Sequence, residues 1–167
     1  MMEFNGDFTS DYDRETLWNY FTDPEILAAC APGCDHIEMV TPSELKATIA
    51  VGVGSVKPTF DVDMTVTRTD RPKLLQMQVD GDASRNSFDT VAEMRLVEND
   101  DGTTTAEWEA EANASGLIAS MGQRALGSVA GRIVDNFFED LEEKVDEGVP
   151  AVSKLEGKTG AEASLEG

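Results

Sequence analysis

Between about Leu117 and Val145 the apolar residues recur every three or four positions. Ile118, Met121, Ala125, Val129, Ile133, Phe137, Leu141 and Val145 form the stripe, and Leu126, Val134 and Phe138 widen it. No proline interrupts the stretch, and the spacing predicts one amphipathic helix, roughly 40 Å long at the helical rise. Its halves differ: Gly122, Gly127 and Gly131 sit among small residues in the first, Phe137, Phe138 and Leu141 in the second. Each interior glycine costs about 1 kcal/mol relative to alanine, so three of them call for a reason. Counting at about 100° per residue from Ile118 puts Gly122 and Leu126 on the side facing the rest of the fold. The same count turns Gly127 outward.

Elsewhere the period is two. Phe4, Gly6 and Phe8 alternate with polar residues and predict a short first strand. Ser10 or Asp11 is placed to cap a helix carrying Leu17, Trp18, Tyr20 and Phe21. Asp23-Pro24 starts a second short helix, with proline at its tolerated first position, ending near Ala29. Five longer alternations follow, with inward residues Ala47 to Val53, Phe60 to Val66, Leu75 to Val79, Phe88 to Leu96 and Ala106 to Ala112. A further strand around Ile37 to Val40, joined through Thr41-Pro42-Ser43, makes about seven. Clean alternation predicts an antiparallel sheet with one wet and one buried face. Turn signals lie at Arg71-Pro72, Gly81-Asp82 and Asn99-Asp100-Asp101-Gly102. The expected fold is α+β: a curved antiparallel sheet wrapped on the long C-terminal helix, with two short helices after the first strand. Residues 1–147 form one domain, and 148–167 read as a disordered polar tail.

Charge narrows the function. The chain carries 33 acidic and 13 basic residues, a formal net charge of −20. Phosphate binding needs clustered bases, so nucleic acid is excluded as a partner. An anionic membrane is disfavoured on the same ground, leaving at most transient membrane contact. The acids are spread along the chain, which reads as adaptation of the whole surface to high salt. With no ~20-residue apolar run and no signal peptide, the expected location is the cytoplasm.

Cys30-x3-Cys34-x-His36 carries zinc-ligand chemistry, but a structural site wants four ligands and the chain has no other Cys or His. Two packed thiols are expected rather than a metal; a disulfide across the Pro-Gly turn is the alternative. His36 stands without a G-x-S-x-G serine to serve, so no catalytic residue is expected. Asp61, Asp63, Glu107, Glu109 and Glu111 fall on the wet face. Val51-Gly52-Val53-Gly54-Ser55 lacks the spacing of a phosphate loop and reads as a flexible loop that gates a pocket. The informative set is apolar. Phe60, Met64, Met77, Phe88, Met94 and Trp108 face inward, towards the helix half bearing Ile118, Met121, Gly122, Ala125, Leu126 and Val129. Large residues opposite small ones either interlock as solid core or leave an apolar cavity of ligand size lined by these twelve. No cofactor is expected.

The stretch Asp23-Pro24-Glu25-Ile26-Leu27-Ala28-Ala29-Cys30-Ala31-Pro32-Gly33-Cys34, preceded by Trp18, resembles the family of the carbon monoxide dehydrogenase G subunit. That family belongs to the START and polyketide-cyclase-like helix-grip superfamily. The resemblance runs from about Met2 to Val145 and includes Val51 to Lys57 and the helix ending in Asn136-Phe137-Phe138. It implies a non-catalytic accessory protein of a molybdenum hydroxylase, holding a quinone or other lipid between helix and sheet and helping the enzyme meet the membrane. The same fold serves cyclases and dehydratases, which place polar residues inside the cavity. The strands here turn almost no polarity inward, which favours binding over catalysis. Two departures stand out. Gly81 to Ser87 is poorer in glycine than the family's corresponding stretch. The tail has only Val149, Val152, Leu155 and Leu165 to offer a membrane.

Overall fold

The structure, a computed structural model, describes residues 2–30, 33–52 and 57–156. Strands β1 (Met2–Ser10), β2 (Cys34–Thr41), β3 (Glu44–Ala50), β4 (Thr59–Asp70), β5 (Leu74–Ala83), β6 (Asn86–Glu98) and β7 (Thr104–Gly116) form one sheet in the order β1-β7-β6-β5-β4-β3-β2. All six pairings are antiparallel. From β2 to β7 the chain is a simple meander, as short turns between alternating strands require. Only β1 pairs out of sequence, closing on β7. Helices α1 (Arg14–Phe21) and α2 (Pro24–Cys30) carry the chain from the β1 edge to the β2 edge. Helix α3 (Gly122–Asp146) lies across the sheet's apolar face, against β1 and α2. This is the expected helix-grip architecture.

Four local expectations are corrected. The long helix does not start at Leu117. Ile118–Met121 form a separate 3-10 turn, and Gly122 follows at φ +80°, a conformation that no Cβ-bearing residue adopts without strain. Gly122 itself is therefore outside the helical conformation, and a helical count does not give the direction of its Cβ. Helix α1 starts later than Ser10 or Asp11, with Asp13 at its N-cap position. Ser10 instead accepts the Tyr12 amide and donates to Glu142. Gly81-Asp82 sits inside β5, and the β5–β6 turn falls at Ser84-Arg85, where Arg85 takes φ +66°. The tail, expected to be disordered, is ordered as far as Glu156. Lys154 and Leu155 amides donate to Thr22 O at 3.0 and 3.2 Å, and Glu156 N to Pro42 O at 2.8 Å. The buried Asp23 carboxylate accepts the Glu25 and Val152 amides and pairs with Lys154. Residues 157–167 of that tail lie outside the described residues, as do Val53 to Val56 of the expected gate.

The core is concentrated at one end. Leu17, Trp18 and Phe21 from α1 meet Leu45, Val66, Leu75 and Leu96 of the sheet, with Phe138 and Leu141 of α3 and Leu155 of the tail. Phe8 of β1 stacks on Phe138 at 5.1 Å. Full burial of such side chains is worth about 1.5–3 kcal/mol each. The first half of α3 contrasts with this: the helix's only buried residues, Phe138 and Leu141, are in its second half.

Candidate ligand pocket

Where the first half of α3 stands off the sheet, a cavity of about 220 Å³ remains. Its floor is Phe4 of β1, Phe60 of β4, Phe88 of β6 and the small residues Ala110, Ala112 and Ala114 of β7. Its roof is Leu126, Val129, Ala130 and Ile133 of α3, with Ile118 closing one end and Met2 and Val51 completing the wall. Among the described residues Thr90 is the one polar side chain in the lining. The space exists because β7 presents alanines where a packed sheet would present leucine or phenylalanine, and nothing on the helix fills the gap.

Two aromatic rings are held low over the sheet by glycines on the neighbouring strand. Phe88 lies across its partner Gly81, where a Cβ would sit 2.3 Å from the ring. Trp108 lies across Gly6 in the same way, with 2.7 Å to the indole nitrogen. Phe60 meets the Phe88 ring edge-on at 5.1 Å, a favoured aromatic geometry. The end turn is fixed by a polar group: buried Asn86 accepts the Ile118 amide at 2.8 Å, and the Leu117 amide donates to Arg85 O.

Of the twelve residues named from sequence, Phe60, Phe88, Ile118, Leu126 and Val129 line the cavity. Met77 and Met94 pack against the main core instead, Met121 against the smaller cluster around Phe60 and Ile118, and Met64 against both. Trp108 is buried over Gly6, outside the cavity. Ala125 does not line it, and a Cβ on Gly122 would meet nothing within 4 Å, so that residue does not face the sheet. Gly127 is corrected in the opposite sense. It faces inward, its absent Cβ 3.3 Å from the Phe4 ring. Gly122 departs because its own φ is not helical, whereas Gly127 stands at the flank of the roof, beside β1. The lining residues that sequence reasoning missed are mainly the β7 alanines, Thr90, Ala130 and Ile133.

The two thiols are free. Burial first, and then the nearby Asp140 carboxylate, push the Cys30 thiol up to about 11. Burial also raises Cys34, against a contact with the His36 carbonyl. Both are thus protonated at neutral pH, the unreactive form of a thiol. No group of His, Cys, Asp and Glu among the described residues is arranged to hold a metal ion. Nor is any helix among them long and apolar enough to cross a membrane.

The fold is shared with solved structures. A conserved protein from Geobacillus kaustophilus superposes with a TM-score of 0.82 at 26% identity, covering 87% of this chain and 96% of that one. A START superfamily protein from Mycobacterium smegmatis matches with 0.69 at 13% identity, over 88% and 99%. The Zhui aromatase/cyclase from Streptomyces sp. R1128 matches with 0.62 at 14%, over 86% and 94%. No curated protein sequence matches the chain. The profile of one family, however, covers residues 6–146, nearly the whole ordered body from β1 to the end of α3. The chain belongs to the CoxG family, that of the carbon monoxide dehydrogenase G subunit.

Proposed function

We propose that this protein is a non-catalytic binding protein that holds an apolar small molecule, a quinone or other lipid, between the first half of α3 and the sheet. The observation that carries the reading is the cavity itself: about 220 Å³, lined by apolar side chains with Thr90 alone polar. A dry cavity of roughly 150 Å³ already accepts benzene, so this one suits a fused ring or a medium-length chain, with the rest of a larger ligand emerging beside the half-exposed helix. Among the described residues its lining holds no titratable side chain, which supports carrying over acid–base turnover of the cyclase kind. Family membership supports the further reading that the carrier is an accessory to a carbon monoxide dehydrogenase-type molybdenum hydroxylase.

Ala130→Phe tests the pocket. Ala130 lines the cavity and is only half-buried, so the larger ring fills the space without displacing packed core. Titration with 1,4-naphthoquinone and with a fluorescent fatty-acid probe should show saturable binding to the native protein. The variant should lose it by about tenfold or more, since filling the site removes burial worth several kcal/mol, while circular dichroism stays native. Undiminished binding to a folded Ala130→Phe protein sinks the assignment.

A further inference from the structure

The apolar cavity does not end at its own wall. Val51 and Ile133 are shared with a second chamber of about 190 Å³, into which Lys57, Arg132 and Asn136 project along with backbone at Gly33 and Gly52. Arg132 and Asn136 stand one turn apart on α3, on the same side as Val129 of the apolar roof. Arg132 donates one hydrogen bond to Gly52 O at 3.3 Å. Among the described residues no carboxylate lines the chamber.

The chamber brings two cations together with no anion in its described lining. The chain has 33 acids for 13 bases, and among the described residues Arg14, Lys46, Arg68, Arg71, Arg95, Lys144 and Lys154 form ion pairs while Lys73, Arg85 and Arg124 do not. Among the described residues Lys57 and Arg132 form none. The sequence before Arg132 is cleared of acids as well: from Ala112 to Val134, which spans the end of β7 and the helix roof, there is no Asp or Glu, and Asp135 is the first to follow. Two cations without ion pairs that share a chamber with no carboxylate in its described lining make the electrostatic form of a site for an anion.

We propose that the ligand carries an anionic oxygen headgroup, a carboxylate or phosphate monoester, received by Arg132 and Lys57 in the polar chamber while its apolar body occupies the adjoining cavity. The guanidinium fork matches two oxygens of either group, and the ammonium of Lys57 adds a second charge. This deepens the proposed function and rests on the cavity being a ligand pocket. The head selects among apolar molecules: a neutral chain fills only the dry half, and a charged one satisfies both.

Decanoate, decyl phosphate and decanol separate the possibilities, titrated at one ionic strength by displacement of the fluorescent fatty-acid probe. A charge-assisted hydrogen bond is worth about 1.5–3 kcal/mol, so at least one of the two acids should bind about tenfold or more tighter than decanol. Which acid leads identifies the head. The double variant Lys57→Gln/Arg132→Gln should erase that preference and leave decanol binding unchanged, whereas Arg71→Gln, remote from the cavity and paired with Glu15, should change neither. Decanol binding as well as both acids, or a preference that survives the double variant, overturns the headgroup assignment and leaves the pocket standing. If none of the three binds, the pocket reading falls with it.

Discussion

At the scale of single residues, Cys30 shows how completely position sets chemistry. It ends α2, buried against Asp140 of α3, and its thiol is held neutral up to about pH 11. An unfolded cysteine ionises near 8.5. Since the folded value is the higher one, the native state is favoured by this group below about pH 8.5. That contribution is lost as pH rises through about 11. Iodoacetamide at pH 8 should therefore label Cys34, which is partly exposed, and spare Cys30 until the protein is unfolded. Cys30→Ser should flatten the alkaline fall in thermal midpoint between about pH 8.5 and 11. Equal labelling of both thiols in the native state would show that Cys30 is not sealed as described.

At the scale of elements, the long helix does two jobs with one face. Its second half is structural, with Phe138 and Leu141 fully buried; its first half is a roof whose residues stay half-exposed over a cavity. Phe138→Ala should cost about 3–5 kcal/mol. Val129→Ala, bordering empty space, should cost less than about 1 kcal/mol, because few contacts are lost there. Denaturant titration of both variants checks the contrast, and equal losses would mean that the roof packs as tightly as the core. Most of these elements were legible as pattern. Alternation marked the seven strands and the apolar stripe marked α3, since both record which side of an element faces the core. The pairing of β1 with β7 was not legible, because local pattern says nothing about which distant edge a strand meets. Nor was the docking of the tail: Leu155 is a lone apolar residue without periodicity, and only the hole beside Thr22 and Pro42 gives it a place. The pocket was half legible for a related reason. Large inward residues draw attention, but Met64, Met77 and Met94 mark where space is filled. Space is left where small faces small, at Ala110, Ala112 and Ala114 beneath Ala130.

Across the whole molecule, the charge is not merely large but arranged against itself. On the outer face, Glu3 lies opposite Glu111 and Asp7 opposite Glu107, and Glu93 lies opposite Glu109. Asp63, Asp80 and Asp89 form one continuous rung over three strands. Like charges directly across a sheet destabilise it; Arg95 and Lys46 pair with Glu93 and Asp63, and Gln76 and Asn113 donate to Glu93 and Asp89. Screening is the remaining remedy: the Debye length falls from about 10 Å at 0.1 M salt to about 3 Å at 1 M. The thermal midpoint should accordingly rise between ~0.1 and ~2 M potassium chloride, and a flat profile would refute adaptation to high salt.

The two glycines beneath aromatic rings bear on the same scale in a different way. A phenylalanine on a strand ordinarily stands up from the sheet and reaches towards whatever lies above. Phe88 instead lies down, because Gly81 offers it a bare stretch of backbone to lie on. The depth of the cavity is thus inherited from a position that borders no part of it. Its capacity is written one strand away, beneath the floor, where the sheet has nothing to show.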